Sequence, residues 1–116
     1  MAKRGTIKIN WKKNDMVVDR VEVPALIFGH LAVHKMLDRK RDLVENCWNV
    51  SHVLSGMKLG APFSLQRDAR RLALALTDRP EWAKIDKDGK YPNKAEFKAL
   101  GEIVREAAYK ARHPDD

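Results

Sequence analysis

A chain of 116 residues with 44% hydrophobic residues suits a single domain with one modest core and is too apolar for a disordered protein. Its 23 lysines and arginines against 16 aspartates and glutamates give a net charge of +7, which suits a nucleic-acid partner but equally suits plain solubility. No apolar run approaches the ~20 residues that span a bilayer, no signal-peptide pattern is present, and the single cysteine indicates a reducing compartment. We therefore expect a cytoplasmic protein without membrane contacts.

Residues 5–23 are predicted to form a β-hairpin. Apolar and polar residues alternate from Ile7 to Lys12, which is typical of a half-buried strand. The sequence KND then indicates a turn, and a second strand follows with valines at odd positions. Asp19 interrupts this second pattern and indicates a bulge, and Pro24 is expected to end the strand.

The stretch from Pro24 to Leu37 is compatible with two structures. A proline followed by apolar residues is typical of a helix start, whereas Gly29 and the β-branched Val33 disfavour a helix. We favour a strand over 31–37, with a helix as the open alternative. The charged residues that follow are predicted to form a connection with one helical turn at 42–45.

A strand, a turn and a helix are predicted next. Residues 48–54 alternate as in a strand, Ser55-Gly56 indicates a hairpin turn, and residues 57–63 are expected to return as a further strand. Ser64 is a suitable N-cap for the helix SLQRDARRLALAL. The apolar stripe of this helix is predicted to consist of Leu65, Ala69, Leu72, Ala73 and Leu76.

The C-terminal part is predicted to contain a loop with an Asp-Gly turn and a last helix over 93–111. Asn93 and Glu96 have the spacing of a capping box, which marks the start of this helix. Since most strands precede the helices, we predict an α+β fold. The single domain, residues 1–116, should be a small antiparallel β-meander of about four to five strands packed against two C-terminal helices.

No pattern in the sequence predicts catalysis. His30, His34 and His52 are conceivable metal ligands, but no partner carboxylate or cysteine pair accompanies them, so we interpret them as packed or hydrogen-bonded. Cys47 has no orienting group that would make it a nucleophile. We therefore expect a non-enzymatic protein with no metal and no cofactor.

The predicted helix at 64–76 carries three arginines opposite its apolar stripe. Arg67, Arg70 and Arg71 are suited to phosphate contacts, which do not depend on base sequence. The alternative is an ordinary solvated face on which Asp68 pairs with its neighbours.

The segment 31–76 resembles the three-strand-plus-helix domains of the plant Apetala-type transcription factors and is similar to the arm-binding domains of tyrosine integrases. It also resembles small phage-type proteins of unassigned role. The shared features are an aromatic residue at the start of the middle strand, a glycine turn, a phenylalanine ending the third strand and an alanine-rich helix. The matching residues are Trp48, Gly56, Phe63, Ala69 and Ala73.

The resemblance implies that the sheet lies in the major groove of DNA and that exposed strand residues read bases. Transferred by position, the base-contacting candidates are His34, Lys35, Asn49, Ser51 and Lys58. Asparagine suits adenine, and lysine suits guanine or phosphate. The strands here contain fewer arginines than those of DNA-binding relatives, which favours phosphate contact over base readout.

Two functional hypotheses follow. The first is a small, basic, possibly phage-type DNA-binding module, in which Ala2–Arg4 and the helix arginines hold the phosphates of double-stranded DNA. The second is a phage-encoded inhibitor or adaptor that docks on a host complex, its basic face meeting an acidic protein surface.

Overall fold

The computed structural model describes residues 2–115, and it has the predicted α+β fold. One antiparallel sheet of four strands, ordered as in the chain, is followed by two α-helices. Neither helix of the described chain is both long and apolar enough to cross a membrane. The strands are β1 (Lys3–Lys13), β2 (Met16–Phe28), β3 (Leu31–Leu37) and β4 (Leu43–His52).

The N-terminal hairpin forms as predicted, including its bulge. Asn14 and Asp15 connect the strands with φ of 53° and 63°, the left-handed conformation that a tight two-residue hairpin turn requires and that Asn and Asp tolerate. The pairing shifts between Trp11 and Lys12. The shift leaves one extra residue, Val18, on β2 and bends the hairpin.

The predicted end of this hairpin at Pro24 is wrong, because β2 continues to Phe28. Pro24 pairs with Thr6 of β1, and the pairing of β2 with β3 begins only at Leu26. At Pro24 the strand therefore has one paired neighbour, and a residue without an N–H is tolerated at such a position.

The favoured strand at 31–37 is confirmed, whereas the helical turn predicted at 42–45 is wrong because β4 already begins at Leu43. The connection is a tight loop closed by Asp38, whose Oδ1 accepts the backbone N–H groups of Lys40 (2.8 Å) and Asp42 (3.0 Å). An aspartate that satisfies two backbone donors stabilises a turn without a helix.

The helices are α1 (Gln66–Leu76) and α2 (Lys94–Arg112), with a short 3₁₀ helix at Pro80–Lys84. The predicted N-cap Ser64 is wrong: Leu65 occupies that position and makes no side-chain cap. The predicted start of α2 is confirmed, since the Asn93 side chain accepts the backbone N–H of Glu96 at 3.1 Å.

The main core lies between the helices and one face of the sheet. Four of the five predicted stripe residues of α1 are buried there, and Leu65 is exposed. They pack with residues from β3, β4 and α2 and with Trp82 of the 3₁₀ helix. The segment predicted as a strand at 57–63 is not a continuous strand, but it runs beside β4 and contributes Leu59 and Phe63 to this core. Trp48 and Phe63 exchange two backbone hydrogen bonds at 2.7 Å, and the N–H of Leu59 donates to the carbonyl of Val50 at 2.7 Å.

The opposite face of the sheet is concave and has a smaller core of its own. The sheet curls until the free edge of β1 meets the segment after β4: the backbone N–H of Asn10 donates to the carbonyl of Gly56 at 3.4 Å. The Arg20 guanidinium also donates to the carbonyl of Leu54 at 3.0 Å. The core residues on this concave face are Ile7, Ile9, Val23, Ala25 and Ala32.

Candidate nucleic-acid interface

Three of the predicted base-contacting residues lie inside the curled sheet. His34, Asn49 and Ser51 are buried on the concave face, where His34 pairs across the strands with Asn49. The expectation that they project from an open sheet surface is therefore wrong. The alternation of the strands is as predicted, but the curled N-terminal hairpin covers the face that a DNA-binding relative would leave open.

The two lysines among these candidates remain accessible in different degrees. The ammonium group of Lys35 donates to Glu45 at 2.7 Å and lies 5.6 Å from the centre of the Trp48 ring. Lys58 is exposed and forms no ion pair within residues 2–115. Lys58 is therefore free to meet an anion, whereas Lys35 must first leave its carboxylate.

The three arginines of α1 have different roles. Arg71 donates to Asp68 at 2.9 Å and to the carbonyl of Ala111 near the end of α2 at 2.8 Å, so it ties the two helices together. Arg67 only approaches Asp68, with 4.0 Å between nitrogen and oxygen. Arg70 is exposed and has no ion pair in the described part of the chain. Arg67 and Arg70 are thus the arginines available to phosphates.

A basic patch forms where β1 and α1 approach each other. Arg4 and Arg70, far apart in sequence, line the same surface cavity of about 540 Å³, and Trp48 forms part of its wall. Lys35 lies against Trp48, and Arg67 precedes Arg70 by one helical turn. We call this set the β1–α1 patch; its members are Arg4, Lys35, Trp48, Arg67 and Arg70.

The buried histidines are held by complete sets of hydrogen bonds, as interpreted from the sequence. The Nδ1 of His34 faces the carbonyl of Lys35 (2.9 Å) and its Nε2 faces the Ser51 hydroxyl (2.8 Å). The Nε2 of His52 faces the carbonyl of Trp82 (2.9 Å), with the Ser55 hydroxyl at Nδ1 (2.8 Å). Since a carbonyl only accepts, each ring donates to it and accepts from the serine, which fixes a neutral tautomer.

Burial lowers the pKa of both His34 and His52, because desolvation disfavours the charged ring. His30 lies exposed in the turn between β2 and β3. Among residues 2–115 no group of three His, Cys, Asp or Glu side chains is placed to hold a metal ion.

The lowered histidine pKa values predict an acid-sensitive fold. In the unfolded chain the pKa of a histidine is near 6.5. Just below that pH the unfolded chain therefore binds more protons than the native state. The free energy of unfolding should be highest above about pH 6.5 and should fall as the pH is lowered towards the native pKa values. Urea unfolding between pH 7.5 and 5 measures this slope.

The variant that tests this slope is His34→Gln. It removes a buried histidine and should flatten the decline. An identical slope in wild type and His34→Gln would show that His34 does not couple protonation to folding.

A second surface feature is an apolar groove between α2 and the segment after β4. Its wall contains Trp82, Leu100 and Val104, and its volume is about 540 Å³. Gly101 lies in the wall, and a Cβ there would meet no atom from another part of the described chain within 4 Å. The basic residues along the groove are Lys58, Arg105 and Arg112.

Comparison with protein-family models, with curated proteins and with solved structures found no match to this chain.

Proposed function

We propose that this protein binds nucleic acid, with double-stranded DNA as the first candidate, through phosphate contacts made by the β1–α1 patch. The observation that carries the proposal is the convergence of Arg4 from β1 and Arg70 from α1 on one cavity beside Trp48. Arg4 lies near the start of β1 and Arg70 lies in the middle of α1. Among residues 2–115, no carboxylate lines the cavity that the two arginines share.

Phosphate contact is favoured over base readout by the burial of the concave face. His34, Asn49 and Ser51 are buried. These three side chains, which the resemblance implied as base contacts, are therefore not exposed to a duplex. Arginines that meet phosphates supply affinity without reading sequence. The expected activity is binding that depends weakly on base sequence and strongly on salt.

Titration of a fluorescent duplex at several salt concentrations tests this function. Arg70→Gln and Arg4→Gln should each weaken binding about equally on unrelated sequences. Each should also reduce the slope of log affinity against log salt by roughly one, because one phosphate fewer releases its counterion. Circular dichroism at the assay temperature confirms that each variant is folded.

The control is Arg105→Gln, which removes the same charge from an exposed position on the groove side of α2. It should change affinity much less than Arg70→Gln does. Equal effects of the two variants would mean that net charge alone causes binding, and no binding of the wild type to any duplex or single strand at low salt would exclude nucleic acid.

The apolar groove favours a second function, an inhibitor or adaptor that docks on another protein. Phe97 and Tyr109 extend from α2 along the groove and are exposed, next to the buried Trp82 and Leu100. Apolar surface bordered by cations fits an amphipathic, acidic segment of a partner. This function would become the leading one if nucleic-acid binding failed.

A further inference from the structure

The concave face of the curled sheet opens to solvent through a cavity of about 480 Å³, within the usual range for small-molecule sites. It lies between the end of β1, the β3–β4 loop and the segment after β4. We call it the mouth cavity. Its lining residues that matter here are Trp11, Lys12, Arg39, Asn49, Met57 and Lys58.

Asn49 places an unsatisfied amide in the wall of the mouth cavity. The side chain is on β4, only 5% exposed, and its Oδ1 has no hydrogen-bond partner in the described structure. A buried acceptor without a donor is costly, so such groups are rare in native proteins unless something else satisfies them. Rotation about the last side-chain torsion of asparagine is soft, so this amide can turn to a donor that enters the cavity.

The rim of the mouth cavity attracts anions. Lys12, Arg39 and Lys58 line it, and none of them forms an ion pair within residues 2–115. The acidic residue of the lining is Asp38, one of whose oxygens already accepts two backbone N–H groups of its own loop. With three cations against one carboxylate, the net charge at the rim is positive.

One wall of the mouth cavity is rigid and aromatic. The indole N–H of Trp11 donates to the carbonyl of Asp38 at 3.1 Å, which links the end of β1 to the β3–β4 loop. The guanidinium of Arg41 lies 4.4 Å from the centre of the Trp11 ring and is held by Asp19 at 2.8 Å. The ring is thus fixed before any ligand enters.

We propose that the mouth cavity binds an unpaired adenine nucleotide, with the base beside Asn49 and the phosphate at Lys12, Arg39 and Lys58. An asparagine amide can form two hydrogen bonds with adenine: its oxygen accepts from the exocyclic amine, and its NH₂ group donates to a ring nitrogen. The apolar side chains of Ile9, Leu37 and Met57 also line the cavity and provide the contact surface for a flat base. A paired base of a duplex cannot meet Asn49 in this way, because Asn49 is only 5% exposed.

This site extends the proposed function to unpaired nucleotides, but it does not depend on the β1–α1 patch. The chemistry would suit a free mononucleotide or a base of a single strand. These two sources differ in one measurable respect: a strand adds further phosphates, so it should bind more tightly than adenosine monophosphate and with a steeper salt dependence.

Isothermal titration calorimetry of the whole chain with four ligands tests the proposal. The ligands are adenosine monophosphate, its analogue without the exocyclic amine (purine riboside monophosphate), short oligo(dA) and short oligo(dT). The wild type should bind adenosine monophosphate, and loss of the amine should weaken binding roughly 5- to 150-fold. If the protein prefers oligo(dA) to oligo(dT) and binds oligo(dA) more tightly than the mononucleotide, the ligand is a single strand. If it binds the mononucleotide and gains no affinity for oligo(dA), the ligand is a free nucleotide.

Asn49→Leu removes the amide at similar size and leaves no orphan acceptor, so the variant should remain folded. It should abolish the preference for the amine-bearing base, and Lys58→Gln should weaken all the phosphate-bearing ligands alike. The double variant Arg67→Gln, Arg70→Gln should lose duplex binding and retain adenosine monophosphate, which separates this site from the β1–α1 patch. Absence of binding to both adenosine monophosphate and oligo(dA) at millimolar concentration, or an unchanged base preference in Asn49→Leu, would overturn the proposal.

Discussion

Replacement of Leu72 by alanine is expected to lower the free energy of unfolding by about 2–5 kcal/mol. Leu72 is 0% exposed and lies on the face of α1 that packs against β3, β4 and α2. The substitution removes apolar area from the core and leaves a cavity that the rigid sheet cannot refill, so both contributions have the same sign. Equilibrium unfolding in urea, with the slope of the transition held common to both proteins, measures the loss.

The control for Leu72 lies two residues further along the same helix. Leu74→Ala makes the same chemical change at a position that is 54% exposed, so the free energy of unfolding should change by no more than about 0.5 kcal/mol. Because alanine favours helix slightly at either site, the comparison isolates burial. Similar losses in the two variants would contradict the packing of α1 on the sheet.

Elements whose signals are local were predictable from the sequence. The turn after β1 requires two residues that tolerate positive φ, and Asn14 and Asp15 supply them. The start of α2 depends on one contact between residues three apart, Asn93 and Glu96. Both features are settled within a few residues, so the sequence pattern is sufficient to find them.

Boundaries that depend on distant strands were not predictable. Pro24 does not end β2, because whether a proline is tolerated depends on which neighbouring strand lies beside it. The charged residues around Leu43 resemble a helical turn locally, but pairing with Leu37 of β3 draws this residue into β4. Tertiary pairing overrides local preference in both places.

The candidate site was predictable only in part for the same reason. The arginines of α1 could be assigned to a surface from the helical period, but the role of Arg71 in joining α2 through Ala111 requires the tertiary structure. The burial of Asn49 depends on the curl of the sheet, which brings Gly56 against β1. A Cβ at Gly56, whose φ is +73°, would lie 2.7 Å from the carbonyl oxygen of Lys8, so this glycine permits the close approach as well as the turn.

The burial of Trp82 was not predictable from the sequence, because Trp82 lies in a stretch that is typical of a loop. In the structure it is 1% exposed and belongs to the 3₁₀ helix after α1. Its carbonyl meets His52 of β4 (2.9 Å), and its indole N–H donates to the carbonyl of Leu76 at the end of α1 (2.6 Å). One side chain and its backbone thus connect the sheet, the end of α1 and the segment that leads to α2.

Trp82→Ala is therefore expected to lower the free energy of unfolding by about 3–5 kcal/mol, the range for removal of a buried aromatic side chain. Trp82→Phe separates the two contributions, because phenylalanine keeps most of the apolar contact and removes only the donor to Leu76. The carbonyl of Leu76 still accepts the backbone N–H of Arg79 at 3.1 Å, so loss of the indole donor should cost only about 0.5–1.5 kcal/mol. This variant should therefore lie between wild type and Trp82→Ala. Urea unfolding monitored by far-ultraviolet circular dichroism gives all three values without relying on tryptophan fluorescence.

Trp11→Phe provides the reference for Trp82→Phe. Its indole N–H also donates to a backbone carbonyl, that of Asp38, but Trp11 is only partly buried, so water can replace the lost donor and the change should be smaller. If Trp82→Phe were no more destabilising than Trp11→Phe, the hydrogen bond to Leu76 would contribute little, and Trp82 would stabilise the fold through apolar packing alone. If Trp82→Ala also left the free energy of unfolding unchanged, Trp82 would not be packed in the main core, and the 3₁₀ helix would not contribute to that core.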